Sequence, residues 1–118
     1  MKKIIPIIFM MCFIPNAYAQ TKEENCKLLG IMGYTAQYQR QSDHDQAEIT
    51  KRLLSNVKVV YSNEPEDVQK KAYQFSEATI KEAYKYQVFK DIEQKRKAVR
   101  DFENITYTKC MKTLDLSN

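Results

Sequence analysis

The sequence predicts an all-α fold, a small four-helix up-down bundle-like domain closed by one disulfide, and three observations carry that prediction. The first is the scarcity of chain-breaking residues: two glycines and three prolines in 118 residues. That is too few for a β-sandwich with a turn every ten residues or so, for a Gly-rich nucleotide loop, or for a loop-rich disulfide scaffold. The second is an apolar spacing of three and four residues that recurs along most of the chain beyond residue 20. The third is the placement of Cys26 and Cys110 near the two ends of that region, because an even number of long antiparallel helices brings such ends together. A hydrophobic fraction of 43%, with Tyr and Phe spread along the chain, excludes a disordered polypeptide.

The first segment has the pattern of an export signal. Lys2 and Lys3 start it, Ile4 to Ile14 form an apolar run, and Ala17-Tyr18-Ala19 supplies the small residues that signal peptidase requires. Cleavage is expected after Ala19, leaving a single helical domain over 20–118 in the periplasm or outside the cell. The apolar run is short of the ~20 residues of a membrane span, and Pro6 and Pro15 interrupt it. No stable membrane insertion is therefore expected after cleavage. Removing the leader takes two of the 19 basic residues and none of the 15 acids, so the formal net charge falls from +4 to +2. A domain this close to neutral does not predict a nucleic-acid partner.

Helix one is expected over Thr21–Gln41, where Cys26, Leu29, Gly33, Ala36 and Arg40 share a face and Leu28, Ile31, Met32, Tyr34 and Tyr38 widen it. Gly30 and Gly33, the only two glycines, predict a close approach by another backbone beside the disulfide. Asp43 followed by Gln46 has the spacing of a capping box and predicts the start of helix two. Ala47, Thr50, Leu53, Leu54 and Val57 form its inward face. The β-branched run 57–61 reads either as the end of that helix or as extended chain. Asn63 as a cap, Pro65 in the first turn, and Glu66 and Asp67 at the positive end of the dipole predict helix three. Its inward stripe reads Val68, Ala72, Phe75, Thr79, Ala83 and Tyr86. Phe89-Lys90-Asp91 opens helix four, with Ile92, Val99, Phe102, Thr106 and Cys110 inward and an end near Thr113.

Cys12 leaves with the signal, so Cys26 and Cys110 remain as an even pair in an exported chain and are expected to be bridged. With both thiols consumed, one His, and no nucleophile motif, no catalytic residue is predicted and the chain reads as non-enzymatic. Asp43-His44-Asp45 has metal-ligand chemistry, but adjacent side chains at a helix start diverge, so neither a metal nor another cofactor is predicted. Lys95-Arg96-Lys97 with Arg100 is the densest basic cluster. It reads as a solvated helix face, with acidic ligands as the chemistry to consider.

Tyr34, Tyr38, Arg40 and His44 are the candidate partner-binding residues. Aromatic and Arg anchors dominate interface energies, and these lead into the polar, irregular turn at 42–45. The functional expectation is a non-enzymatic periplasmic protein-binding module, such as an immunity or inhibitor protein against a toxin or hydrolase. The alternative is an envelope-stress or acid-activated periplasmic chaperone.

Four stretches carry a resemblance: Cys26 soon after the cut, Tyr38-Gln39-Arg40-Gln41, the run 82–88 (EAYKYQV), and 101–110 (DFENITYTKC). With these the chain resembles a group of small exported helical proteins of Gram-negative bacteria and their phages. The resemblance implies an exported compartment and the one disulfide; it implies no catalytic residue.

Overall fold

Thr21 starts the first helix by satisfying two backbone N–H groups that a helix leaves open. Its hydroxyl accepts from Glu24 N at 3.1 Å, and its own N–H donates to Glu24 Oε1 at 2.8 Å. The computed structural model describes residues 21–116 and folds them into four helices: α1 Lys22–Gln41, α2 Gln46–Val60, α3 Glu66–Ala83 and α4 Ile92–Thr113. The expected signal segment and its cleavage site at Ala19 lie outside the described residues.

The caps differ from the expected ones for a physical reason. Asp43 does not start α2; it ends α1. Asp43 stands at φ 60, its N–H bonds Arg40 O at 2.9 Å, and His44 N bonds Gln39 O at 3.0 Å. This is the Schellman closure, with an Asp in the left-handed position that Gly usually takes. Committed to that turn, Asp43 leaves Asp45 as the N-cap of α2, where its carboxylate accepts from Glu48 N at 3.0 Å. Asn63 does not cap α3: Pro65 is itself the N-cap, without a side-chain bond. The turn is held instead by Gln69, whose side-chain amide donates to Ser62 O and Glu64 O. Asp91 caps α4 through Gln94 N. The run 57–61 is helical to Val60, with Tyr61 at the end.

The pairings give the helix directions. Cys26 meets Cys110 and Gln41 meets Lys95, so α1 and α4 run antiparallel. Lys58 meets Tyr73 and Ser62 meets Gln69, so α2 and α3 are antiparallel as well. Cys26 and Cys110 are bridged and fully buried, with Cα atoms 5.5 Å apart. The core clusters around them: Leu29, Ala36, Leu53, Val68, Ile80 and Phe102 are among its members. The α1/α4 pair is the tightest. A Cβ added at Gly33 would clash with Thr106, standing only 2.9 Å from its Cβ and so inside van der Waals contact distance.

Several expected inward positions turn out otherwise. On α3 the buried stripe is Val68, Ala72, Ser76, Thr79, Ile80 and Ala83, so Ser76 and Ile80 occupy the centre that was expected for Phe75. Ala72, Ser76 and Ala83 are the small members of this stripe; Phe75 is displaced to the edge and half-buried. The helix ends at Ala83, which leaves Tyr86 in the crossover, where its ring meets Phe102 edge-on at 5.4 Å. On α2, Ile49 is buried and Ala47 is exposed. Ile92 is exposed, as are Leu28, Ile31, Tyr34 and Tyr38. The second side of α1 is therefore open, where the sequence led us to expect cover.

Candidate functional site

The end of α1 holds the chain between α3 and α4. Gln37 and Gln41 are buried among apolar side chains and must be paired there. Gln37 Nε2 donates to Ala83 O at 3.3 Å, the carbonyl at the end of α3. Gln41 Nε2 donates both to Gln37 Oε1 at 2.9 Å and to Gln87 O at 2.8 Å, while Gln41 Oε1 accepts from Phe89 N at 3.0 Å. Lys95 Nζ reaches Gln41 O at 2.6 Å from the first turns of α4. One residue, Gln41, thus satisfies two backbone groups in the middle of the crossover and receives a cation from α4. Two of the stretches that carry the resemblance, 38–41 and 82–88, meet here, and what joins them is this hydrogen-bonded clamp.

Arg40 belongs to the same clamp. Its Nε donates to Tyr86 O at 2.8 Å, and its guanidinium lies 5.5 Å from the centre of the Tyr84 ring. Tyr84 in turn donates its hydroxyl to His44 O at 2.9 Å. Burial first, then the carboxylates of Asp45 and Asp43, raise the Tyr84 hydroxyl above its ordinary range against the opposing pull of Arg40. It therefore stays protonated and keeps donating. His44 is exposed, its Nδ1 paired with Gln39 Oε1.

The four candidate partner-binding residues consequently separate into two pairs. Arg40 and His44 gather around Tyr84 and the crossover. Tyr34 and Tyr38 are 40% and 53% exposed and line a different feature, a hollow of about 500 Å³ between α1 and α4. Its other wall comes from the start of α4, with Ile92, Lys95, Arg96, Val99 and Arg100. Ile31, one turn before Tyr34 on the same face of α1, is 54% exposed. Ile92, the expected core residue, is 56% exposed and opens onto this hollow. Three cations of the basic cluster thus stand beside two tyrosines and an isoleucine. Lys97, the remaining member of the four-residue cluster, does not line the hollow and pairs with Asp101.

Sequence reasoning flagged the tyrosines and the basic run separately and did not join them, nor did it single out Gln37 and Gln41. The available signal for the clamp was that these glutamines fall on the buried stripe of α1, four residues apart. Among the described residues no cluster of three or more His, Cys, Asp or Glu side chains is placed to hold a metal ion, and no helix is long and apolar enough to cross a membrane. No protein family, curated protein or solved structure matches this chain.

Proposed function

We propose that the protein is a non-enzymatic periplasmic binding module that blocks a partner protein, in the manner of an immunity or inhibitor protein. The observation that supports this is the exposed row Ile31, Tyr34 and Tyr38 on α1: the two tyrosines share an open hollow with Ile92 and Arg100, and Ile31 lines a second hollow that also includes Arg100. Large side chains of this kind are normally withdrawn from water. Held on a helix fixed by a buried disulfide, they lose little further freedom when a partner covers them. Relative to the residues expected from sequence, the patch keeps Tyr34 and Tyr38 and gains Ile31, Ile92 and Arg100. Arg40 takes the role of holding the crossover.

A second reading, an acid-activated or envelope-stress chaperone, draws on a smaller apolar groove between α1 and α2, where Leu28, Ile31 and Val60 are exposed. The two readings differ in when the apolar surface is offered. The decisive experiment is site-specific photocrosslinking in the producing cell, with the crosslinker at Tyr38. A single saturable protein adduct at neutral pH is expected. Adducts with many proteins that appear only on acidification, together with a rise in dye binding to exposed apolar surface, would replace the inhibitor reading with the chaperone.

A further inference from the structure

Two hollows adjoin along the α1/α4 seam and share Arg100. The first is the one lined by Tyr34, Tyr38 and Ile92; the second, of about 560 Å³, is lined by Lys27, Gly30, Ile31 and Tyr107. On α1 they run from Ser42 back to Lys27, which at 1.5 Å per residue is a trough of ~22 Å, about four helical turns.

The charge along this trough is one-sided. Lys27, Lys95, Arg96 and Arg100 line it, against one acid, Glu103. Lys27 and Arg96 have only exposed partners on their own helices, Glu23 and Glu93, and such pairs hold their charges weakly. Arg100 makes no ion pair among the described residues. The largest hollow on the other side of the molecule, between α2 and α3, is mixed: Glu66, Asp67 and Glu77 are interspersed with Lys58 and Lys70. Of the two surfaces the seam is the more one-sided in charge.

We propose that this seam receives an acidic amphipathic helix of the partner protein, with apolar side chains against Tyr34, Tyr38 and Ile92 and carboxylates against Arg96 and Arg100. The inference rests on the protein-binding reading above and names the chemistry of the bound segment. A helix fits because the apolar anchors lie inside a trough with cations along it, and helix-in-groove recognition places apolar side chains at i, i+3, i+4 and i+7 between acidic ones.

The test is a nuclear magnetic resonance titration of the disulfide-bonded protein with three probes. These are a 15-residue peptide with Leu at helical spacing and Glu elsewhere, the same peptide with Lys in place of Glu, and phosphatidylglycerol vesicles. The acidic peptide is expected to shift the amides of Tyr34, Tyr38, Val99 and Arg100. Its affinity should drop by about tenfold in Arg100→Glu, a charge reversal at an exposed position, and fall again as salt is raised. The melting temperature of Arg100→Glu should stay where it was, which separates lost binding from lost fold.

No shift at saturating acidic peptide, or equal binding of the Lys peptide, would overturn the proposal. So would vesicle binding that Arg100→Glu abolishes while the peptide stays unbound, and that outcome would assign the seam to anionic lipid. Photocrosslinkers at Tyr38 and Tyr73 distinguish the two levels of inference. An adduct at Tyr73 alone keeps the binding module and removes the seam; no adduct at either position removes both.

Discussion

Tyr61 shows how a single residue can be both well packed and poorly satisfied. Its side chain belongs to the core, yet its buried hydroxyl has no hydrogen-bond partner. A buried unpaired hydroxyl loses its bonds to water and regains none, so Tyr61→Phe is expected to leave the protein as stable or raise its stability by ~1 kcal/mol, read from chemical denaturation. The same burial, with Glu64 adding to it, pushes the Tyr61 pKa from 10.0 up to about 12. The folded chain therefore keeps this proton where the unfolded chain releases it. This contribution is complete below about pH 10 and is lost as pH climbs to about 12, by up to ~1.4 kcal/mol per pH unit. In Tyr61→Phe that alkaline decline should be shallower; an unchanged decline would place its cause in another group. The two phenylalanines make a second comparison. Phe102 is buried against Tyr86, whereas Phe75 is half-buried at the edge of the cluster. Phe102→Ala should cost ~3–5 kcal/mol and Phe75→Ala clearly less, because a site open on one side leaves a smaller cavity. Equal losses in thermal melts would mean that the two rings are equally enclosed.

At the scale of elements, the crossover 84–91 has no regular structure of its own: the amides of Tyr84, Lys85 and Tyr86 donate back to the end of α3, and side chains of α1 pair groups further along. Gln41 serves Gln87 O and Phe89 N together, and Arg40 serves Tyr86 O. Gln41→Leu fills similar space but leaves both backbone groups unpaired, so a loss of ~1–3 kcal/mol is expected. The Phe89 amide should then exchange with solvent faster than amides in the middle of α4. If it exchanges at the original rate, the crossover is held by other contacts. Side chains of 38–41 thus hydrogen-bond the backbone of 82–88, far away along the chain. The helices themselves were legible, since four runs of three-and-four spacing became α1 to α4. The caps were less so. Asp43, Asn63 and Pro65 all have cap chemistry, and only the path of the chain decides that Asp43 closes the helix before it.

For the whole molecule, the bridge between Cys26 and Cys110 spans a separation of 84 residues, which joins the start of α1 to the end of α4. Cys110→Ser should lower stability by ~2–5 kcal/mol, visible as a large fall in melting temperature. The same fall on reducing the unmodified protein would confirm that the bond, and not the serine, is responsible. Both sulfurs are fully buried, so reduction should require partial unfolding first. By itself the sequence determined the class, the helix count and the disulfide, because periodicity, scarcity of Gly and Pro, and an even cysteine pair are local or countable properties. It also placed two glycines where helices meet closely, and Gly33 against Thr106 is that contact. Tertiary structure alone decided the phase of each helix and therefore the surface. Ile92 has the hydrophobicity of a core residue and a pattern in one dimension assigns it inward, while for Tyr34 and Tyr38 the same pattern leaves open both core cover and a partner-binding surface. With four helices of unequal contact, α1 is covered by α4 and α3 but not all round, so its surplus apolar face stays in water. The cations of α4 come to stand beside that face only because the two helices run antiparallel over some twenty residues, a relation that exists in space and not along the chain.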